Sequence, residues 1–283
     1  MEALIMYSPE LLLIPMSWLA LIAFGFGVII GSFLNVYIYR FHTGKSLAGH
    51  SHCLSCGTRL RWYELFPLVS YVVLRGRCRT CGCKIPARYF LVELTTGILF
   101  ALTILLSLDI FSILLLWFIF GVLVVITVYD LYHFIIPDRL VLVLTVAVVL
   151  FTTYQVWIGS VPWSQVGRIV ASALGGSFFF LVLWVISKGK WIGFGDVKLA
   201  FPLGVLVGSQ YVFSFVVLSF WIGAGISLFL LTYSHLSRGK ADLHLPGKAL
   251  TMKSAVPFAP FLIASSLVIV FTHFNVLQLF SFY

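Results

Sequence analysis

Apolar stretches close to the length of a bilayer crossing recur from one end of the chain to the other. In lipid the backbone must satisfy its own hydrogen bonds, so each stretch of about 20 residues reads as a spanning helix. We expect eight spans, at 14–38, 90–107, 111–129, 140–158, 167–187, 197–208, 211–233 and 257–275. The sixth is short for a perpendicular crossing, so it is expected to start deeper in the membrane or to lie where the bilayer is thinned. Only 10% of the 283 residues are charged and 61% are hydrophobic, whereas about a quarter of a soluble domain is charged. Too few polar side chains remain to cover a water-facing surface. A soluble enzyme, a disordered chain and a secreted disulfide scaffold are excluded. The fold class is all-α, a polytopic protein of the lipid bilayer with about eight transmembrane helices.

The polar residues are concentrated in one island. Residues 40–88 are basic, turn-rich and cysteine-containing, and they hold nine of the 18 Lys and Arg. The expected organisation is therefore a first transmembrane helix at 1–39, a small cytosolic module at 40–88 and a membrane domain at 89–283. With the N-terminus outside, one face collects the island together with Arg139, Lys188, Lys190, Lys198, Arg238, Lys240, Lys248 and Lys253, or 17 cations, and the other face only Arg168. Positive charge marks the cytosolic side. The net charge of +9 is thus read as orientation and not as a nucleic-acid footprint. Met1-Glu2-Ala3-Leu4 lacks the basic start of a signal peptide, so the first apolar run is expected to be a retained helix.

Within the island, Cys53-Leu54-Ser55-Cys56 and Cys78-Arg79-Thr80-Cys81 form a C-x2-C-x21-C-x2-C pattern. Each C-x2-C turn presents two thiolates on one side of a tight loop, and two such turns make a tetrahedral sulfur site. Gly57, Gly76 and Gly82 supply backbone freedom, and Arg75, Arg77 and Arg79 favour thiolates. In a reducing compartment this pattern points to structural zinc on Cys53, Cys56, Cys78 and Cys81, in a ribbon-like module too small to hold itself together by a core. Reduced free thiols or a redox pair are the competing readings. Cys83 is the odd fifth thiol, a substitute ligand or a free one.

Of nine acids, most have ordinary explanations. Asp109 suits a helix cap, Asp138 follows Pro137 at the head of the fourth span, and Glu64 sits in the cysteine module. Glu93 opens the second span with Arg88 or Lys84 as its expected partner. Asp130 closes the third span and Asp196 opens the sixth in Gly193-Phe194-Gly195-Asp196. Ionisable groups at membrane depth suggest function. Two carboxylates brought together share a proton, so one can act as base toward water while the other acts as acid toward a carbonyl. Gly193 and Gly195 would let an extended substrate approach Asp196. Taken singly, Asp196 also reads as a helix cap and Asp130 as an interfacial acid paired with Lys198 or Arg139. A proton-coupled transporter using both as a relay is the alternative function.

The Gly193–Asp196 segment resembles the G-x-G-D signature of intramembrane aspartic proteases. An ordered set of stretches resembles the bacterial type IV prepilin peptidase family. These are Gly31-Ser32-Phe33-Leu34-Asn35-Val36 with Arg40, the two C-x2-C pairs, Leu74-Arg75-Gly76-Arg77-Cys78, Tyr89 with Val92-Glu93-Leu94, Tyr129-Asp130 through Ile136-Pro137-Asp138, and Gly193 to Lys198. The resemblance implies an inner-membrane leader peptidase, serving pili or secretion, that cuts prepilins or pseudopilins at the cytosolic face. It places the catalytic aspartates on Asp130 and Asp196 and the tetracysteine pattern on Cys53, Cys56, Cys78 and Cys81. It also implies methylation of the new N-terminus with S-adenosylmethionine, although no Rossmann-type glycine fingerprint is present. Substrates of the family carry a basic leader, which Glu64 and Glu93 are the available acids to meet. Gly27, Gly31 and Asn35 recur every four residues, a small-residue face suited to close helix packing.

Overall fold

A computed structural model describes residues 15–41, 49–236 and 256–279. Glu2, Glu10, Asp242 and the cations of the 237–255 stretch lie outside the described residues. Among the described residues there is no strand, only two isolated bridges. The helices are α1 Met16–Arg40, α2 Val69–Val73, α3 Arg88–Ile104, α4 Ile110–His133, α5 Asp138–Trp157, α6 Trp163–Ser187, α7 Phe194–Val207, α8 Val212–Leu236 and α9 Ala259–Thr272. Every expected span coincides with one of them.

Among the described residues five helices, α1, α4, α5, α6 and α8, are long and apolar enough to cross a membrane. The 14 residues of α7 or α9 rise only about 21 Å, short of a hydrocarbon core about 30 Å thick. Large apolar side chains such as Trp18, Phe178 and Phe229 face outward, as a lipid-facing surface requires. The chain divides into two compact units, residues 1–128 and 129–283.

In the first unit α1 packs closely on α3, and the small-residue face is the reason. A Cβ added at Gly27 would meet the Thr96 carbonyl oxygen at 2.8 Å, and one at Gly31 would meet Glu93 Cα at 2.7 Å. Neither glycine can be enlarged without parting the two backbones. Phe100 stacks on Trp117 at 4.6 Å, and Trp117 Nε1 donates to Thr103 Oγ1 at 2.7 Å.

In the second unit α7 is the inner helix. It packs against α5, α6 and α9, and Leu199, Ala200 and Leu203 are fully buried. An apolar helix without a polar face belongs in the interior. The Ser177 hydroxyl of α6 donates to the Val197 carbonyl at 2.8 Å. Ala173 of the same helix lies 3.0 Å from where a Cβ on Gly204 would stand. The start of α7 is therefore held inside the protein, and with it Asp196.

Candidate functional site

The first half of the site comes from the junction of α4 and α5. Phe134 takes a left-handed conformation (φ 55°) and its N–H donates to the Asp130 carbonyl at 2.8 Å, which ends α4. Pro137 then caps α5 with extended backbone. The turn leaves Asp130 in the last turn of α4 and buries Ile136.

The second half is the start of α7. Gly193 is its N-cap and Asp196 the third residue of its first turn, so Asp196 is not the cap residue itself. Its Oδ2 accepts the Gly193 N–H at 3.0 Å. Both glycines have room-related roles and neither needs a left-handed backbone. A Cβ on Gly195 would lie 2.9 Å from Ile136 Cβ, whereas one on Gly193 would meet only Asp196 Oδ2, at 3.4 Å, and the Gly195 nitrogen, at 3.9 Å. Gly195 thus lets the two turns touch, and Gly193 sets its backbone directly against the carboxylate.

These turns bring Asp130 and Asp196, 66 positions apart in sequence, within electrostatic reach of each other. Each is 5% exposed. Asp130 Oδ2 accepts the N–H of Ala259 at 3.3 Å, at the first residue of α9. Helix N-termini carry partial positive charge and spare N–H groups, so both are suited to hold a carboxylate. Among the described residues neither aspartate makes an ion pair. Lys198 pairs with Asp138 at 2.7 Å and lies over the Phe194 ring at 4.9 Å, so the interfacial pairing of Lys198 with Asp130 does not form. Asp196 Oδ1 is buried with no hydrogen-bond partner among the described residues. His133 is exposed and its ring lies tilted beside Tyr129 at 4.5 Å.

The cysteine module lies in the first unit and is built from two matching turns. Cys53 N–H donates to the Thr58 carbonyl and Gly57 N–H to the Cys53 carbonyl, both at 2.9 Å. Cys78 N–H donates to the Cys83 carbonyl at 2.8 Å and Gly82 N–H to the Cys78 carbonyl at 2.9 Å. Gly57 and Gly82 both have φ 70°, where a side chain would be strained. The repeat C-x-x-C-G-[Thr/Cys] thus sets Cys83 in the position of Thr58. The sulfurs of Cys53, Cys78, Cys81 and Cys83 all lie within 4.8 Å of one another. Tetrahedral zinc with bonds of about 2.3 Å needs sulfurs about 3.8 Å apart, so such a cluster is compatible with zinc. Cys56, expected in the set, instead donates to Thr58 Oγ1 at 3.3 Å. In the thiolate form the Thr58 hydroxyl and backbone N–H are the donors, and they lower the Cys56 thiol to about 6.

The other two acids are engaged elsewhere. Glu64 Oε1 lies 3.5 Å from Arg79 Nε and its Oε2 accepts the Arg61 N–H at 2.7 Å. Glu93 Oε2 accepts the Leu68 N–H at 2.8 Å, and Glu93 is buried. Its expected pairing with Arg88 or Lys84 is replaced by a backbone contact between the module and α3.

Two family models match the chain. One, the bacterial peptidase A24 N-terminal domain, covers residues 26–107, and the other, the type IV leader peptidase family, covers 117–228. The prepilin leader peptidase/N-methyltransferase of Aeromonas salmonicida strain A449 is 32% identical over 257 residues, covering 77% of this chain and 84% of its own. The chain belongs to the type IV leader peptidase family. The like-named protein of Dichelobacter nodosus is 30% identical over 277 residues, 84% of this chain and 86% of its own. That of Myxococcus xanthus strain DK1622 is 50% identical over 82 residues, 29% of this chain and 24% of its own. No solved structure matches the chain. The leader peptidase model spans both aspartates, and the N-terminal model spans all five cysteines. Nothing in these matches supports the transporter alternative.

Proposed function

We propose that this chain is a membrane aspartic endopeptidase that removes the short basic leader from prepilins or pseudopilins and then methylates the new N-terminal amine. The observation that carries the cleavage reading is the buried pair Asp130 and Asp196, held at two helix N-termini with no ion-pair partner among the described residues. Two such carboxylates share one proton. The ionised one takes a proton from a water as its oxygen bonds the scissile carbonyl carbon, and the protonated one donates to the carbonyl oxygen. The resulting tetrahedral diol collapses with a proton passed to the leaving amine, and the pair returns to its starting state. Gly193 and Gly195 carry no side chain beside Asp196, which supports an extended substrate lying along this stretch of backbone. The relatives' names support leader cleavage and N-methylation together, and the latter calls for S-adenosylmethionine.

The 17-to-1 distribution of cations supports an inner-membrane protein with the N-terminus outside and the cysteine module in the cytosol. We place structural zinc on Cys53, Cys56, Cys78 and Cys81. The matching turns support Cys56 as the counterpart of Cys81, and they make Cys83, beside Cys81, the counterpart of Thr58 beside Cys56. Thr58 and Cys83 would then donate to the metal-bound thiolates from outside the ligand set. The test of the function is the mass of a prepilin substrate incubated with the detergent-solubilised protein. Loss of the leader, followed by the gain of one methylene when S-adenosylmethionine is added, is the expected result. Intact substrate would overturn it.

A further inference from the structure

Cleavage chemistry leaves one group of sequence features unused, namely the Ser32–Asn35 stretch of α1 and the Tyr89–Glu93 start of α3. Within the first unit they meet at a cavity of about 530 Å³, closed on a further side by the cysteine module. We propose that this cavity binds the methyl donor, S-adenosylmethionine, and that Asn35 and Glu93 are the residues that select it. The proposal rests on the N-methylation half of the function above.

Three observations define what the cavity takes. Asn35 is 4% exposed; its Nδ2 donates to the Tyr89 carbonyl at 2.9 Å, while Oδ1 has no partner among the described residues. Buried polar atoms are nearly always paired, so this oxygen marks the place of a ligand's hydrogen-bond donor. Glu93 is 8% exposed and makes no ion pair among the described residues. Glu64, the other acid on the lining, is taken by Arg79. Glu93, whose Oε2 accepts the Leu68 N–H at 2.8 Å, is therefore the acid of this lining with no cation of its own among the described residues. Tyr71 and Phe90, 5.3 Å apart, and Tyr39 supply aromatic surface, which suits both a flat heterocycle and a positive charge. A donor group, a fixed positive charge and a flat ring are the adenine amine, the sulfonium and the purine of S-adenosylmethionine. The volume lies within the range of small-molecule sites, about 300–1,000 Å³. A second cavity, lined by Leu174, Gly175, Ser177, Phe178 and Leu181, offers only one hydroxyl and no charge.

In the transfer, the lone pair of the new neutral amine bonds the methyl carbon as the carbon–sulfur bond breaks. The sulfur leaves as a neutral thioether, and the methylated ammonium then loses one proton to water. Glu93 favours the sulfonium over the thioether, so it holds the charged donor and releases the spent one.

Calorimetric binding to the full-length, zinc-loaded protein in detergent, without prepilin, tests this. Wild type is expected to bind S-adenosylmethionine more tightly than S-adenosylhomocysteine. Asn35→Leu should weaken the donor about ten-fold or more, the loss of one buried hydrogen bond. Ser70→Trp, on the half-exposed lining, should block it sterically, and this variant carries the test if Asn35→Leu does not fold. Glu93→Gln should bring the two affinities together, a change that a merely structural role for Glu93 would not produce. Wild-type affinity in both Asn35→Leu and Ser70→Trp, or an undiminished preference in Glu93→Gln, would place the donor elsewhere and leave the N-methylation reading standing. Ser70→Trp that weakens a prepilin peptide and spares the donor would assign the cavity to peptide and overturn the proposal. A wild-type protein that cleaves prepilin yet binds no S-adenosylmethionine would remove both the site and that reading.

Discussion

Replacing Gly195 with Ala drives a methyl group into Ile136 without touching either aspartate. The new Cβ would stand 2.9 Å from Ile136 Cβ and 3.2 Å from its Cγ1 and Cδ1. Carbon atoms attract best at about 3.5–4.0 Å, so the two turns must part by roughly 0.6 Å or more. Rotation of Ile136 cannot relieve this, because its Cβ is fixed by the backbone and the residue is buried. Overpacking of this kind costs about 1–3 kcal/mol, and the strain falls on the turns that carry Asp196 and follow Asp130. Misplacing a reacting group by about 1 Å can lower a rate 10²-fold, so we expect kcat for leader removal to fall about 10- to 100-fold. Steady-state cleavage of a prepilin peptide in detergent measures it. Ile136→Gly in the same chain removes the clash, so the double variant should lose less than the sum of the two single losses. Gly225→Ala in α8, with nothing within 4 Å of the new Cβ, should cleave as wild type does. Full activity in Gly195→Ala, or strictly additive losses in the double variant, would refute the reasoning.

Three further outcomes follow from the same structure. Cys83→Thr, which makes the two cysteine turns alike, should keep one zinc per chain by elemental analysis, while Cys56→Ser should lose it; the opposite pattern would put zinc on Cys53, Cys78, Cys81 and Cys83. Lys198→Ala removes an ion pair whose partners are 36% and 73% exposed, and screening limits the loss to about 0.2–1 kcal/mol, read as a small shift of the melting temperature. Gly31→Val sets a branched side chain where even a Cβ lies 2.7 Å from Glu93 Cα, so it should lower stability by at least about 1–3 kcal/mol in the same melting assay.

Helix positions were legible because a bilayer imposes one length and one polarity on every span, and α1, α4, α5, α6 and α8 meet that rule directly. The inner helix was harder to delimit. Apolar content alone opens it at 197, but the Gly193 cap and the Asp196–Gly193 hydrogen bond start it at Phe194. Hydropathy cannot see such a cap. The aspartate pair depended on two turns meeting at Gly195 and Ile136, a contact between segments far apart in sequence. The same limit hid the pairing of Lys198 with Asp138 and of Glu93 with the Leu68 N–H. The place of Cys83 was readable in principle, since C-x-x-C-G-Thr and C-x-x-C-G-Cys are the same turn written twice. Spacing between cysteines alone did not reveal it. Asn35 read as part of a packing face, and its unpaired oxygen appears only when the module closes over α1 and α3.

The most direct test of the account is leader cleavage by Asp130→Asn and Asp196→Asn beside wild type, followed by mass spectrometry on a prepilin substrate. Each substitution keeps the size of the side chain and abolishes the shared proton, so leader removal by wild type and none by either variant is expected, with all three proteins equally folded by thermal melting. Cleavage by either variant at a rate near wild type would contradict it.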